Sequence, residues 1–200
     1  MKDGLNDINV VSNLFAKVNG LSNDNCFLIV LNRDYNTMDS TSIMKTNAKI
    51  AGFKNGGVAG GLIGGAIASS AADSIQKTIS EFQSKLNDKE KILFANNAYY
   101  GGFLVNITPN GLGVIPLTNS NKLIPNVKNF QPDLNNYVYF DNSEIETIKI
   151  EKLPLHFSSK RLAVYFKNLD NVCTQWTLLK KHKLIPYQKD NYNKLENIIR

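Results

Sequence analysis

Apolar residues recur at helical spacing near the start of the chain. Within residues 4–18 they are three or four positions apart, which places them on one helix face: Leu5, Ile8, Val11, Phe15 and Val18. The pattern predicts a short amphipathic helix that Gly20 ends. A continuous apolar block follows, CFLIVL at residues 26–31, bounded by Asn-rich turns. A block of this length predicts a buried strand.

Small residues recur every fourth position in the segment AGFKNGGVAGGLIGGAIASSAA, residues 51–72. On a helix they would form a side with almost no side chains, so that another backbone could approach closely. Six glycines are therefore candidates for helix packing: Gly56, Gly57, Gly60, Gly61, Gly64 and Gly65. Apolar residues downstream keep helical spacing up to Leu86 and predict a Gly-zipper amphipathic helix over residues 51–88.

The Gly-rich segment has two open interpretations. Its uncharged run, residues 56–72, is shorter than the roughly 20 residues that a helix needs to cross a bilayer. Packing against the protein's own sheet or against a second copy is favoured. Insertion at a membrane interface, or assembly of several such helices, is the alternative.

From residue 91 onward the pattern predicts strands. They are KILFANN (91–97), FLVNIT (103–108), GVIPLT (113–118), YVYF (137–140), EIETIKIEK (144–152), RLAVYFK (161–167) and TQWTLLK (174–180). An Asn-Gly pair at residues 110–111 is a strong hairpin signal between the second and third of these strands. A final helix is predicted where Tyr192, Leu195 and Ile198 or Ile199 share one side.

Seven antiparallel strands must close or pack together to hide their edges. With this order of elements the chain resembles the pleckstrin-homology-like superfamily, in its bacterial PH or GRAM-type form, over residues 91–200. The resemblance depends on the strand series IETIKIEK, RLAVYFK, TQWTLLK and on the terminal helix YNKLENII. It implies an α+β protein with a seven-stranded antiparallel barrel and a C-terminal capping helix. An N-terminal helix and strand region, residues 1–50, and the Gly-rich helix precede it.

Positive charge is concentrated in the C-terminal part of this chain of net charge +6. Residues 147–200 hold eleven Lys and Arg residues against four Asp and Glu residues. The asymmetry favours a solvated, solubilising surface, and an anionic partner for the C-terminal part is the alternative. In a hairpin that sets Arg161 opposite Lys180, five basic residues would converge at one end: Lys160, Arg161, Lys180, Lys181 and Lys183. PH-like domains hold lipid headgroups with basic residues at the open barrel end, so the resemblance implies an anionic lipid headgroup as a candidate ligand.

Catalytic and cofactor motifs are missing from the sequence. His156 and His182 are the only histidines, and they lack Cys or carboxylate partners at metal-ligand spacing. The phosphate-binding and dinucleotide-binding glycine patterns and the nucleophile elbow do not occur. No aromatic motif or helix-turn-helix pattern supports nucleic-acid binding. We therefore expect no enzyme activity, no cofactor, no metal and no nucleic-acid partner.

Two cysteines, Cys26 and Cys173, lie in predicted strands and are expected to be free and buried, which fits a reducing cytoplasm. The sequence as a whole predicts a non-enzymatic cytoplasmic binding or scaffold module, free or at the membrane surface. Its partner would be an anionic ligand, another protein or a second copy of the chain. The alternative is a peripheral or oligomeric membrane-associated protein anchored through the Gly-rich helix.

Overall fold

The computed structural model describes residues 4–32, 83–94, 100–119, 127–152, 159–169, 173–174 and 176–199. These residues form helices and one antiparallel sheet of eight strands. The helices are α1 (Ile8–Lys17), α2 (Asp88–Leu93) and α3 (Gln188–Ile198), and residues 83–85 are also helical. The strands are β1 (Cys26–Asn32), β2 (Tyr100–Thr108), β3 (Gly111–Asn119), β4 (Phe130–Pro132), β5 (Val138–Asp141), β6 (Ile145–Lys152), β7 (Ser159–Phe166) and β8 (Trp176–Leu179).

Most predicted elements are confirmed: α1, β1, the β2–β3 hairpin, the later strands and α3. The strand predicted over residues 91–97 is wrong, because residues 88–93 form α2. The Asn87 side chain accepts a hydrogen bond from the Glu90 backbone N–H, and the Glu90 carboxylate accepts one from the Asn87 N–H, both at 2.9 Å. This capping box starts a helix where the apolar run alone favours a strand.

The sheet follows the order β4, β3, β2, β1, β8, β7, β6, and β5 pairs with β3 beside β4. β4 pairs with the end of β3, and β5 pairs with its beginning. The first strand therefore lies at the centre of the sheet, between β2 and β8. No ladder among the described residues joins β5 to β6, although only residues 142–144 separate them along the chain. The α+β class, the antiparallel sheet and the C-terminal helix are thus confirmed, in an open sheet of eight strands.

Two apolar clusters cover the two faces of the sheet. One contains alternate residues of β1, such as Leu28 and Val30, together with Trp176 of β8 and residues of α2 and α3. The other contains Phe27 and Ile29 of β1 and the buried side of α1. β1 is buried on both faces, which explains its uninterrupted apolar sequence.

Candidate anion-binding site

The β7–β8 pairing decides how the basic residues are arranged. Arg161 pairs with Thr177 and Lys160 pairs with Leu178, so the predicted register that set Arg161 opposite Lys180 is wrong by three residues. The same register continues through the Tyr165–Cys173 bridge, beyond which the chain takes a longer connection than a tight turn. Side chains alternate between the two faces of a sheet. A register shift by an odd number of residues therefore changes which basic residues share a face.

Arg161 is removed from the predicted cluster by this register. It lies opposite Glu151 of β6 and forms an ion pair with that carboxylate. Glu151 also accepts a hydrogen bond from the Tyr165 hydroxyl at 3.2 Å. The positive charge of Arg161 is therefore compensated on its own face of the sheet.

Three lysines share the other face at one end of the sheet. Lys152 of β6 pairs directly with Lys160 of β7, and Lys160 pairs in turn with Leu178 of β8. Lys180 follows Leu178 by two positions, so its backbone position is on the face of Lys160. We call Lys152, Lys160 and Lys180 the lysine rim. Each lysine is two positions from an apolar residue of the same face: Ile150, Leu162 and Leu178, which belong to or pack against the cluster beneath α3.

The lysine rim has no carboxylate partner in the part of the chain that the structure describes. The ion pairs found there join Lys89 to Glu144, Lys91 to Asp88, Arg161 to Glu151 and Lys194 to Asp24. Like charges directly opposite each other on neighbouring strands destabilise a sheet. An anion between Lys152 and Lys160 would offset this repulsion.

Tyr192 of α3 supports one side of the rim. The Lys180 Nζ lies 5.5 Å from the centre of the Tyr192 ring, within the range of a cation–π contact. The Tyr192 hydroxyl donates to Glu196 Oε1 at 3.0 Å. Burial, followed by the contact with Glu196, raises the pKa of Tyr192 to about 12. The phenol therefore stays neutral at physiological pH, and its ring contacts the ammonium group of Lys180.

The remaining predicted basic residues follow β8. Lys181 is exposed. Lys183 lines a separate small cavity of about 180 Å³ with Asn6, Lys128 and Pro186. His182 accepts a hydrogen bond from the Leu184 N–H at its Nδ1 atom, 3.2 Å away. Burial and then Lys183 lower the pKa of His182, so this side chain adds no positive charge at neutral pH.

Sequence reasoning missed Lys152. The signal was available, since Lys152 and Lys160 flank the β6–β7 connection, and the ends of two hairpin strands face each other. The candidate helix-packing glycines, Gly56 to Gly65, and His156 lie outside the described residues. Cys26 and Cys173 are free and buried, as expected.

The described residues contain no group of three or more His, Cys, Asp or Glu side chains that could hold a metal ion. None of the helices in that part of the chain is long and apolar enough to cross a membrane. No protein-family model matches the chain, and searches of curated proteins and of solved structures gave no match either.

Proposed function

We propose that this protein is a non-enzymatic binding module with a PH-like sheet, and that its lysine rim holds the phosphate group of an anionic ligand at a membrane surface. One observation carries the proposal. Lys152 and Lys160 are direct cross-strand partners, Lys180 shares their face, and no described carboxylate pairs with any of them. Lysines kept together without counter-charges are suited to an anion supplied from outside.

The order of the strands supports the PH-like part of the proposal. A sheet whose first strand pairs with both the second and the last can curve into a barrel with one open corner. The two outermost strands, β5 and β6, are separated by three residues, which requires such curvature. α3 packs against one apolar cluster of the sheet through Tyr192 and Leu195, as a C-terminal capping helix does. The resemblance covers residues 91–200, and β1 would extend the PH-like unit to include a strand before residue 91.

The charge at the rim indicates weak, reversible binding. Each lysine near an anionic membrane contributes about 1 kcal/mol, so three of them supply roughly 3 kcal/mol. Lysine ammonium groups act as point charges and do not impose the planar geometry of a guanidinium fork. The rim therefore fits a phosphate that can rotate, such as a lipid headgroup, better than a ligand held in one orientation.

The test measures co-sedimentation of the full chain with vesicles of phosphatidylglycerol and of phosphatidylcholine. We expect binding to the phosphatidylglycerol vesicles only, falling steeply with salt, since the screening length is about 10 Å at 0.1 M. The double variant Lys160→Glu/Lys180→Glu should lose this binding. Its matched control is Lys17→Glu/Lys167→Glu, which changes net charge equally at exposed positions outside the rim and should retain most of the binding.

An equal loss of vesicle binding in both double variants would show that net charge alone attracts the protein to the vesicles, and it would contradict the proposal. Binding to neither vesicle type, at any salt concentration, would also contradict it. Binding that survives both the rim variant and high salt would favour the alternative, a membrane-associated protein anchored through the Gly-rich segment. Competition by inorganic phosphate separates a phosphate site from a general attraction to the membrane surface.

A further inference from the structure

A second concave surface lies at the C-terminal end of α1. It is a cavity of about 470 Å³, which is within the usual size range of small-molecule sites. Its walls are the segment Val18–Asn23, the β2–β3 turn with Thr108 and Asn110, and the two tyrosines Tyr137 and Tyr139. We call it the tyrosine–asparagine cavity. It lies on the α1 side of the sheet, whereas the lysine rim lies on the side of the cluster beneath α3.

The wall formed by residues 18–23 is fixed by hydrogen bonds. The Gly20 N–H donates to the Phe15 carbonyl at 2.7 Å, and the Asn19 N–H donates to the Ala16 carbonyl at 3.2 Å. These two bonds, with Asn19 at φ 54°, form a Schellman motif, which explains the left-handed backbone at Asn19. This wall is therefore preformed.

Asn106 of β2 ties the same wall to the sheet. This buried side chain donates through Nδ2 to the Gly20 carbonyl at 2.9 Å and to Asn25 Oδ1 at 2.8 Å. Its Oδ1 accepts from the Cys26 N–H at 3.1 Å. A ligand in the cavity would thus meet a backbone that needs no ordering, which lowers the entropic cost of binding.

Glycines let the two tyrosine hydroxyls lie close to the backbone. A Cβ atom at Gly20 would lie 2.8 Å from the Tyr137 hydroxyl, and one at Gly111 would lie 2.7 Å from the Tyr139 hydroxyl. The Tyr139 hydroxyl makes a hydrogen bond with the Thr108 side chain. Neither tyrosine hydroxyl donates to or accepts from a carboxylate or amide side chain among the described residues. Burial raises the pKa of Tyr137 to about 12 and also raises that of Tyr139. Both phenols are therefore neutral hydrogen-bonding groups at physiological pH.

The lining selects a class of ligand by its chemistry. The described residues around the cavity include no Lys, Arg, Asp or Glu, so they offer no charge to pair with an ion. Asn19, Asn23 and Asn110 each carry two N–H donors and one carbonyl acceptor, and Ser22 carries a hydroxyl. The Thr108 hydroxyl is already engaged in the turn, since it donates to the Gly111 carbonyl at 3.1 Å and accepts from the Asn110 N–H at 3.3 Å. Tyr137, Tyr139 and the exposed side chain of Leu21 supply apolar surface beside these groups. Apolar faces next to mixed donors and acceptors match a neutral ring that carries several hydroxyl groups.

We propose that the tyrosine–asparagine cavity binds a neutral sugar, with the ring face against a tyrosine and the hydroxyls bonded to asparagine side chains. An anion would find no counter-charge on this lining. A purely apolar ligand would leave the asparagine and serine groups without the hydrogen bonds they make to water. The proposal concerns a surface that the anion-binding function does not use, so either can fail without the other.

The test is saturation-transfer NMR on the full chain with glucose, galactose and N-acetylglucosamine, each at up to about 10 mM, a concentration that detects affinities near 1 mM. We expect at least one of the three to bind. Tyr139→Phe and Asn110→Ala should each weaken that binding about fivefold, the loss of one neutral hydrogen bond. Tyr165→Phe and Asn193→Ala remove the same groups from β7 and α3, away from the cavity, and should leave it unchanged.

Thermal melts of all four variants confirm that the fold is retained. The lysine-rim variant Lys160→Glu/Lys180→Glu should bind the sugar as the parent chain does. Failure of all three sugars to bind overturns the proposal. So does equal weakening by the cavity variants and their controls, or sugar binding that Tyr139→Ala leaves intact.

Discussion

Gln188 at the start of α3 continues the pairing of β1 and β8 with its side chain. The β1–β8 ladder runs from Val30–Leu178 to Asn32–Trp176, so Ile29 and Leu179 lie just beyond its end. The Gln188 Oε1 accepts from the Ile29 N–H at 3.0 Å, and Nε2 donates to the carbonyls of Ile29 at 3.0 Å and Leu179 at 3.1 Å. The side chain is fully buried. The Gln188 side chain thus adds hydrogen bonds to β1 and β8 just beyond the end of their ladder, and it attaches α3 to the sheet.

Replacing this amide should be costly. Gln188→Ala removes three hydrogen bonds of about 1 kcal/mol each and leaves the Ile29 N–H buried without its partner, which adds about 1–3 kcal/mol. We expect a loss of roughly 4–6 kcal/mol, a large share of the 5–15 kcal/mol typical of folded domains. For a chain of this size the melting temperature should fall by about 10–20 °C.

Gln188→Glu separates hydrogen bonding from side-chain volume. The carboxylate has nearly the same size but no donors, and it would face the carbonyl oxygens of Ile29 and Leu179. Gln188→Glu should therefore destabilise the protein at neutral pH at least as much as Gln188→Ala does. Its folded-state pKa should be raised, so stability is retained at low pH and lost as pH rises through that pKa.

Urea unfolding followed by Trp176 fluorescence measures the loss of stability in both Gln188 variants. The indole is a suitable probe because it is buried, with its ring centre 5.2 Å from that of Phe103. Gln131→Ala, at an exposed glutamine of β4, is the matched control and should change the free energy of unfolding by less than about 0.5 kcal/mol. A loss below about 1 kcal/mol for Gln188→Ala, with an unchanged denaturant slope, would refute the view that this amide completes the ladder.

Two further predictions concern β1 and its neighbour. Gly102→Ala should lower the melting temperature measured by circular dichroism, because the new Cβ would lie 2.4 Å from the Val30 carbonyl oxygen, a backbone atom that cannot move aside; a variant that melts with the parent chain would contradict this. The Cys26 thiol has its pKa raised by burial from 9.0 to about 11, so it should not react with a disulfide reagent at pH 8 until the protein unfolds, and stability should fall between about pH 9 and 11. Native-state labelling of Cys26 at the rate of a free thiol would contradict the second prediction.

Patterns formed by residues that are close together in the sequence predicted the fold well. The apolar block of β1 and the Asn-Gly turn between β2 and β3 each specify an element within a few positions, and the structure has both. The apolar run after residue 91 was misleading because its first part completes α2. The Asn87-to-Glu90 capping box was the better signal, although the predicted Gly-zipper helix over residues 51–88 ends at this point instead.

The candidate site was harder to predict because it depends on register. Arg161 and Lys160 are adjacent in sequence, yet only Lys160 shares a face with Lys180. The seven residues between Tyr165 and Cys173 form a connection that imposes no single register, unlike a two-residue turn. The tyrosine–asparagine cavity combines three distant segments, so no local pattern could indicate it. The predicted division into residues 1–50, 51–88 and 91–200 stays a prediction.

The central position of β1 also has a consequence for synthesis of the protein. During translation β1 leaves the ribosome before both of its partners, β2 and β8. Val30 cannot meet Leu178 until the 147 residues between them have emerged. Until then, one of the most apolar segments of the protein has an unpaired edge, where chaperones can bind and aggregation can start. We expect folding to be slow, because β1 pairs with strands that are distant from it in sequence.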